Sequence, residues 1–483
     1  MHQMPASATS VYMILATIDP WPPHIHATIS NLNRPMLPQL SAPIITKISD
    51  ILSIIFLTPF AISLVGSEMC IRDSIFTLAV QGAGAIQSAD VNKYPYVYVH
   101  GLFGWGADEG IDDTLPYWGS ASCSLMDELN KLHYESYAAS VGPMSSNWDR
   151  VCELYAQITG TRVDYGKAHS EKFNHSRYGR TYTKPMIEGW GEPDADGNIK
   201  KINLVGHSFG GATVRTLTAL LAYGSEEEQA ATSPDDISPL FTGGKGNYIN
   251  SVTTLCAPHN GTTLAYIIDG MNMAELGKAA CYAYAGLMGR SKLNGYVDFH
   301  LEQFGLTPIP GDGSTPEEAF IKAFMTIMTH TDTAADDMYP ERAEEINKLS
   351  KPVDGVYYFS YSYQTTRKTL AGTQVPKIKT LVVLRPSATL LGAYSKNLFS
   401  DYKIDASWLP NDGLVNVVSA RYPFTDEHED YTPGMELETA KWYVMPTREG
   451  DHGTVIGMQC TKRQTLKFYY ELTDLIESLP VTD

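Results

Sequence analysis

The chain is poor in cysteine: six among 483 residues, with no two spaced as CxxC. That excludes a disulfide-built scaffold and thiolate zinc modules. Positive charge is scarce as well. Lys and Arg number 36 against 54 Asp and Glu, a formal net charge of −18. Nucleic acid, whose phosphates demand a basic surface, is thereby excluded as a partner; a neutral lipid or sugar is not. The apolar run Ile51 to Val65 stops at 15 residues, short of the ~20 of a comfortable membrane-spanning helix. Internal repeats and low-complexity tracts are absent, and nothing implies a protein partner. What is present is a globular composition, 43% hydrophobic and 19% charged, long enough for one large or two to three ordinary domains.

Residues 1–89 read differently from the rest. Lys47, the apolar run and the small residues Ala83 to Ala85 resemble a secretory signal peptide, but one that begins dozens of residues late. Between the run and a second one (Ile75 to Val80) lies GSEMCIRDS, Gly66 to Ser74, which resembles a translated sequencing-adapter fragment. The expectation is a signal peptide damaged in sequence assembly, with a mature, secreted domain over 90–483; a membrane-anchored N-terminus is the competing reading.

Beyond Asp90, β-rich segments alternate with helical ones. Strands are expected at Tyr96 to His100, Lys201 to Val205, Asn250 to Leu255, Gly355 to Tyr361, Thr380 to Leu384 and Lys441 to Met445. Helices are expected over Ala212 to Tyr223 and Gln464 to Leu479, the latter with Leu466, Tyr469, Tyr470, Leu472 and Leu475 on one side. Such alternation predicts an α/β fold, a mostly parallel sheet with helices on both faces. The polar stretch at about 135–194 shows little strand pattern and is expected to be an insertion on the sheet.

Gly206-His207-Ser208-Phe209-Gly210 fits G-x-S-x-G between a strand and a helix. Alone the motif is weak; in that context it is a nucleophile elbow, with Ser208 on a strained turn above the sheet. A serine nucleophile needs a base and a group to orient it, in the chain order Ser, Asp/Glu, His. The later histidines are 259, 300, 330, 428 and 452. His452 lies between the last strand and the C-terminal helix, where the base belongs, whereas His428 sits in the acidic DEHED, read as a solvated turn. Asp412, in a rigid Asn-Asp-Gly turn, is preferred as the acid over Asp401 and Asp405. The oxyanion hole needs two backbone N–H groups. Phe209 follows the nucleophile, and Leu102 follows the first strand.

These residues lie in motifs that resemble a known family: HG-x-x-GWG (His100 to Gly106), VGP-x-SSNWDR (Val141 to Arg150), VDYG-x-AH (Val163 to His169), RYGRTY (Arg177 to Tyr182), GHS-x-GG, APH-x-GTT (Ala257 to Thr263) and WL-x-NDG-x-VN (Trp408 to Asn416). Together they resemble the secreted lipases of Geobacillus and staphylococci. The resemblance implies an α/β-hydrolase fold, triacylglycerol hydrolysis at a lipid–water interface, and a triad on Ser208, Asp412 and His452. It also implies a structural zinc on Asp149, His169, His175 and Asp332, a donor set that suits a closed four-ligand site. The family's calcium site does not carry over. Its Glu two residues after the catalytic His, and its Asp-Pro seven after, are Thr454, Gln459 and Cys460 here, leaving a hard cation short of carboxylates.

The apolar, Met-containing segment 269–289 matches the position of the family's lid helix. The expected function is an extracellular lipase acting through an acyl-enzyme. The alternatives are a short-chain carboxylesterase or phospholipase on the same scaffold, and a non-catalytic lipid-binding protein.

Overall fold

The computed structural model describes residues 92–113, 115–270, 299–306, 330–395 and 404–481. Its centre is a seven-stranded sheet: β1 (Tyr96–Val99), β2 (Ser136–Ala139), β3 (Ile202–His207), β4 (Ile249–Leu255), β5 (Tyr357–Tyr361), β6 (His428–Asp430) and β7 (Trp442–Val444). They lie in the order β6-β7-β5-β4-β3-β1-β2, and every neighbouring pair is parallel. Parallel strands need crossovers, so helices cover both faces and both must be apolar. The alternation of β1 shows how. Val97 and Val99 pack with Leu154, Leu217 and Val252, beneath α2 (Asn147–Thr159) and α3 (Gly210–Tyr223). Tyr96 and Tyr98 point the other way, packing with Trp118, Leu125 and Tyr469 from the segment around α1 (Leu125–Lys131) and from α4 (Lys462–Glu477).

Local chemistry sets the helix ends. The Ser146 side chain accepts from Asp149 N–H at the start of α2, and Gly160 closes that helix at φ 68°. Thr461 and Gln464 form a reciprocal capping box on α4. Helix α3 has no capping side chain: Phe209 occupies its N-cap position directly after Ser208, so no side chain satisfies its first N–H groups.

Four expectations are corrected. Thr380 to Leu384 is not a strand: Val382–Leu384 is a 3-10 turn leading into a helix at Arg385–Leu391, because Pro386 favours a first helical turn. The region expected as an insertion from 135 begins inside the sheet. Its Ser136–Ala139 is the edge strand β2, whose SYAA sequence carries no strong alternation. His428 lies in strand β6, not a turn; the strand is fully exposed at the sheet edge, so it has no apolar pattern to detect. The buried face of α4 is Thr465, Phe468, Tyr469, Leu472, Thr473 and Ile476, turned from the expected stripe. Leu466, Tyr470 and Leu475 are only partly buried there, because α4 also shields Ser122 through Thr465.

The expected lid, 269–289, lies outside the described residues from 271 onward, as does the expected leader at 1–89. No helix among the described residues is long and apolar enough to cross a membrane.

Candidate active site and metal centre

The carboxyl ends of β1, β3, β4 and β5 converge, as ligand-binding edges of parallel sheets do. Directly after β3, Ser208 has φ 54°, a left-handed conformation that costs a non-glycine residue of order 1–3 kcal/mol. Two glycines make room for it. A Cβ on Gly210 would stand 2.2 Å from Val99 O, and one on Gly101 would stand 2.6 Å from Ser208 Cβ. Ser208 N–H donates to Leu255 O at 2.8 Å, tying the turn to β4. Ser208 itself stays partly exposed.

His452 Nδ1 donates to Asp412 Oδ2 at 2.8 Å. Both are buried. The other carboxylate oxygen of Asp412 accepts from Leu414 N–H at 3.0 Å and Val415 N–H at 2.8 Å, and Asp412 O accepts from His452 N–H at 2.9 Å. Asp412 is therefore held at every polar atom, and the bond to Nδ1 leaves Nε2 as the ring nitrogen of His452 without a partner among the described residues. No hydrogen bond joins Ser208 Oγ to His452 Nε2 among the described residues; such bonds are commonly long before substrate binds. Asp405, the alternative acid, caps an exposed 3-10 turn through Ser407 N–H, and Asp401 lies outside the described residues. Of the other bases, His428 is exposed and stacks on Tyr422. His259 is buried between Arg215 and Thr254, and burial then Arg215 hold it well below its ordinary pKa.

The N–H groups of Leu102 and Phe209 donate to no acceptor among the described residues. The loop that carries Leu102 is held from below. Tyr117 Oη accepts from Gly101 N–H at 3.0 Å and donates to His207 Nδ1 at 2.6 Å; His207 Nε2–H donates to His452 O at 3.1 Å. These partners assign one neutral tautomer to His207, and burial, reinforced by His452, keeps its pKa well below the ordinary value. One chain of bonds thus links the loop of Leu102, the turn of Ser208 and the loop of His452. Arg150 makes a second link. Its fully buried guanidinium donates to His100 O, to Gly142 O at 2.7 Å and to Thr213 Oγ1 at 3.1 Å. It also lies 5.5 Å from the centre of the Phe209 ring.

Sequence reasoning missed these supports. Arg150 sits in the quoted SSNWDR motif, but its burial carries no sequence signal, and Tyr117 lies in no pattern. Cys256 was missed likewise: its Sγ lies within 4.8 Å of ligating atoms of Asp412 and His452. Burial, then Asp412, raises its pKa well above the ordinary value, so it is a neutral thiol.

The loop after His452 is tied by side chains. Thr454 Oγ1 accepts from Asp451 N–H at 2.9 Å and donates to Asp451 Oδ1 at 3.0 Å, while Asp451 Oδ2 accepts from Leu381 N–H at 2.8 Å.

A second constellation lies apart from this one. Asp149 on α2, His169 on the helix Lys167–Phe173, His175 just beyond it and Asp332 offer four ligand atoms within 4.8 Å of one another. His169 Nε2 stands 2.9 Å from Asp332 Oδ2 and 3.3 Å from Asp149 Oδ1; His175 Nε2 stands 3.6 Å from Asp332 Oδ2. Asp149 Oδ1 and His175 Nε2 are buried without a hydrogen-bond partner, which is costly unless something else pairs them. The outer contacts suit ligation: Gln303 donates to Asp149 Oδ2 at 2.8 Å, and His175 Nδ1–H to Ser176 O at 2.9 Å, leaving Nε2 free. Burial raises the Asp149 carboxyl, and Asp332 adds to the rise. For His169, burial is outweighed by Asp149 and Asp332, which lift it to about 9. Two carboxylates and two imidazoles converging in a buried space fit a borderline divalent ion.

A family model described as "Lipase-like, C-terminal domain" matches residues 92–483. The chain is 33% identical over 395 residues to a protein named lipase from Staphylococcus hyicus, covering 80% of this chain and 58% of that protein. It therefore spans little more than half the length of that relative. Among solved structures, EstA from Clostridium botulinum superposes with a TM-score of 0.71 at 37% identity, covering 81% of this chain and 89% of that one. Lipase 1 from Pelosinus fermentans gives 0.68 at 39%, covering 80% and 99%. The architecture is the α/β-hydrolase fold.

Proposed function

Because the chain belongs to the lipase-like, C-terminal domain family, we propose that it is an extracellular lipase that hydrolyses triacylglycerol through an acyl-enzyme. The observation that carries this reading is the 2.8 Å bond from His452 to buried Asp412, beside a serine held at φ 54°. In the proposed cycle Ser208 Oγ attacks the ester carbonyl as His452 Nε2 takes its proton. The Leu102 and Phe209 N–H groups bind the developing oxyanion. His452 then gives the proton to the leaving glycerol oxygen, and water repeats the steps on the acyl group. Asp412 holds the imidazole tautomer and stabilises its positive charge.

Asp149, His169, His175 and Asp332 would hold zinc. Bound there, the ion would cross-link α2, the helix at Lys167–Phe173 and the segment entering Asp332, a structural role in a closed site. Two orphaned buried ligand atoms, Asp149 Oδ1 and His175 Nε2, support this.

The test is hydrolysis of tributyrin and triolein below and above their solubility limits, with fluorophosphonate labelling mapped to Ser208. The proposal expects labelling, turnover of triolein, and a jump in rate once emulsion forms. Labelling with saturation kinetics that run smoothly through the solubility limit marks a carboxylesterase instead. Failure to label Ser208 refutes the mechanism.

A further inference from the structure

Charge is unevenly spread along this acidic chain. Residues 355–400 contain six Lys and Arg and not one Asp or Glu, although the whole chain carries 54 acidic residues. The same stretch holds three of the eight exposed large apolar side chains among the described residues: Leu370 at 111%, Ile378 at 91% and Val382 at 64% relative exposure. They sit on one small platform. Thr366–Lys368 and Gln374–Pro376 pair as an antiparallel hairpin, with Leu370 in its turn, and Ile378 and Val382 follow where it leads into the helix Arg385–Leu391. Each paired segment is three residues, about 10 Å, so the apolar and basic groups share a compact area. Arg367, Lys368 and Lys379 are exposed and have no acidic partner among the described residues. Lys377 stands 3.7 Å from Glu449.

The platform is continuous with the active site. It rises from the carboxyl end of β5. Thr365 N–H donates to Asn411 O at 3.0 Å, beside Asp412, and Leu381 N–H donates to Asp451 Oδ2 at 2.8 Å, beside His452. A Cβ on Gly413 would stand 2.9 Å from Leu384 Cβ. The loops of both the acid and the base are therefore braced against it.

We propose that the hairpin platform from Thr366 to Arg385 is where this protein docks on an anionic lipid surface, with Leu370, Ile378 and Val382 entering the apolar boundary and Arg367, Lys368 and Lys379 facing the headgroups. This rests on the lipase reading and deepens it by naming the surface that meets the lipid. Exposed aliphatic side chains interleaved with basic ones are what an interface of negative charge selects: apolar area gives adhesion, and each Lys or Arg adds attraction that salt screens. On a protein of net charge −18, overall repulsion from such a surface leaves this platform, whose own residues include no Asp or Glu and beside which Glu449 is paired with Lys377 and Asp451 with Leu381 N–H, as the side able to approach.

The experiment is flotation of the full chain with vesicles of non-hydrolysable diether lipids, either phosphatidylcholine alone or mixed with phosphatidylglycerol. Two variants are compared with the parent, Lys368→Ser/Lys379→Ser and Leu370→Ser/Ile378→Ser. All three are also assayed on monomeric p-nitrophenyl butyrate. The parent is expected to bind the anionic vesicles at least about tenfold more tightly than the neutral ones, with the preference shrinking in high salt. The lysine variant loses most of that preference, and the apolar variant loses on the order of 10- to 100-fold of binding to both vesicles. Both retain the parent's rate on the monomeric ester within about twofold, because none of the four side chains touches the triad. Equal binding of the two vesicles by the parent, or binding untouched by the four substitutions, overturns the proposal. So does an apolar variant that binds undiminished while a soluble polyanion competes, which would mark a polyelectrolyte site. A parent inert on both the monomeric ester and a triolein emulsion would remove the lipase reading while leaving the vesicle result intact.

Discussion

Ser208 shows what a single residue bears in this molecule. Its left-handed backbone is tolerated because glycines surround it, and it is the proposed nucleophile. Ser208→Ala is expected to cut ester turnover by on the order of 10⁴–10⁶ while the melting temperature stays at or above the parent value, since alanine removes no buried bond. His452→Ala should lose activity comparably, whereas His428→Ala should leave turnover within about twofold, because His428 only stacks on Tyr422 at the sheet edge. Steady-state rates on tributyrin decide both; the reverse pattern would mean that the base is misassigned. Asp112 offers a test by pH. Burial, and then Glu109, Asp113 and Asp127, lift its carboxyl to about 6 despite the bond from Tyr117 N–H. A carboxyl with a raised folded-state pKa takes up charge unwillingly, so it costs stability as pH rises from about 4 through 6. Asp112→Asn keeps an acceptor for Tyr117 N–H without the charge. Its melting temperature is therefore expected to exceed the parent's at pH 7, with the gain vanishing below pH 4. An unchanged difference across that range would contradict the assigned shift.

At the scale of elements, the site is a meeting of loops that buried polar side chains hold in register. Tyr117 joins Gly101 to His207, and His207 joins the turn of Ser208 to the loop of His452. Tyr117→Phe strands a buried N–H and an imidazole nitrogen, a loss of about 1–3 kcal/mol, measurable by urea titration. If the network positions the oxyanion loop, kcat falls as well, by about tenfold or more, with KM little changed. Loss of stability alone would make Tyr117 a packing residue. Arg150 spans the first strand's end, the loop at Gly142 and helix α3. Arg150→Lys retains charge but not the fork, and is expected to lose at least about 2 kcal/mol by the same titration.

For the whole molecule, the proposed zinc centre would staple together elements distant in sequence, from Asp149 to Asp332. Metal analysis of purified protein should find close to one zinc per chain. Because bound metal adds to folding free energy, a strong zinc chelator is expected to lower the melting temperature by about 5 °C or more, while turnover per folded molecule is retained. A calcium-selective chelator should change neither. Thr454 and Asp451 bond each other, and Leu381 N–H bonds Asp451, in the loop that positions His452. A clear loss of stability on calcium removal would show another carboxylate set at work.

Much of this was legible in the chain itself, wherever the physics is local. Alternating Tyr and Val in β1 specify a strand between two apolar faces, and the glycines around Ser208 specify a turn that few other residues permit. The proposed order Ser208, Asp412, His452 rests on where loops leave such a sheet. The α/β class, the strand expected at Lys201 to Val205 and found at Ile202–His207, and helix α3 were readable for that reason. What depends on distant partners was not. The polar edge strands β2 and β6 exist only because a neighbouring strand supplies hydrogen bonds. Thr380 to Leu384 has strand-like residues, yet it wraps against Asp451. The buried face of α4 is set by what the sheet leaves uncovered. Arg150, Tyr117 and Cys256 gain their meaning from burial beside residues far away in sequence, as Cys256 beside His452. Charge and polarity are written in the sequence, but desolvation, which gives them their energy, is decided only when the tertiary structure closes around them.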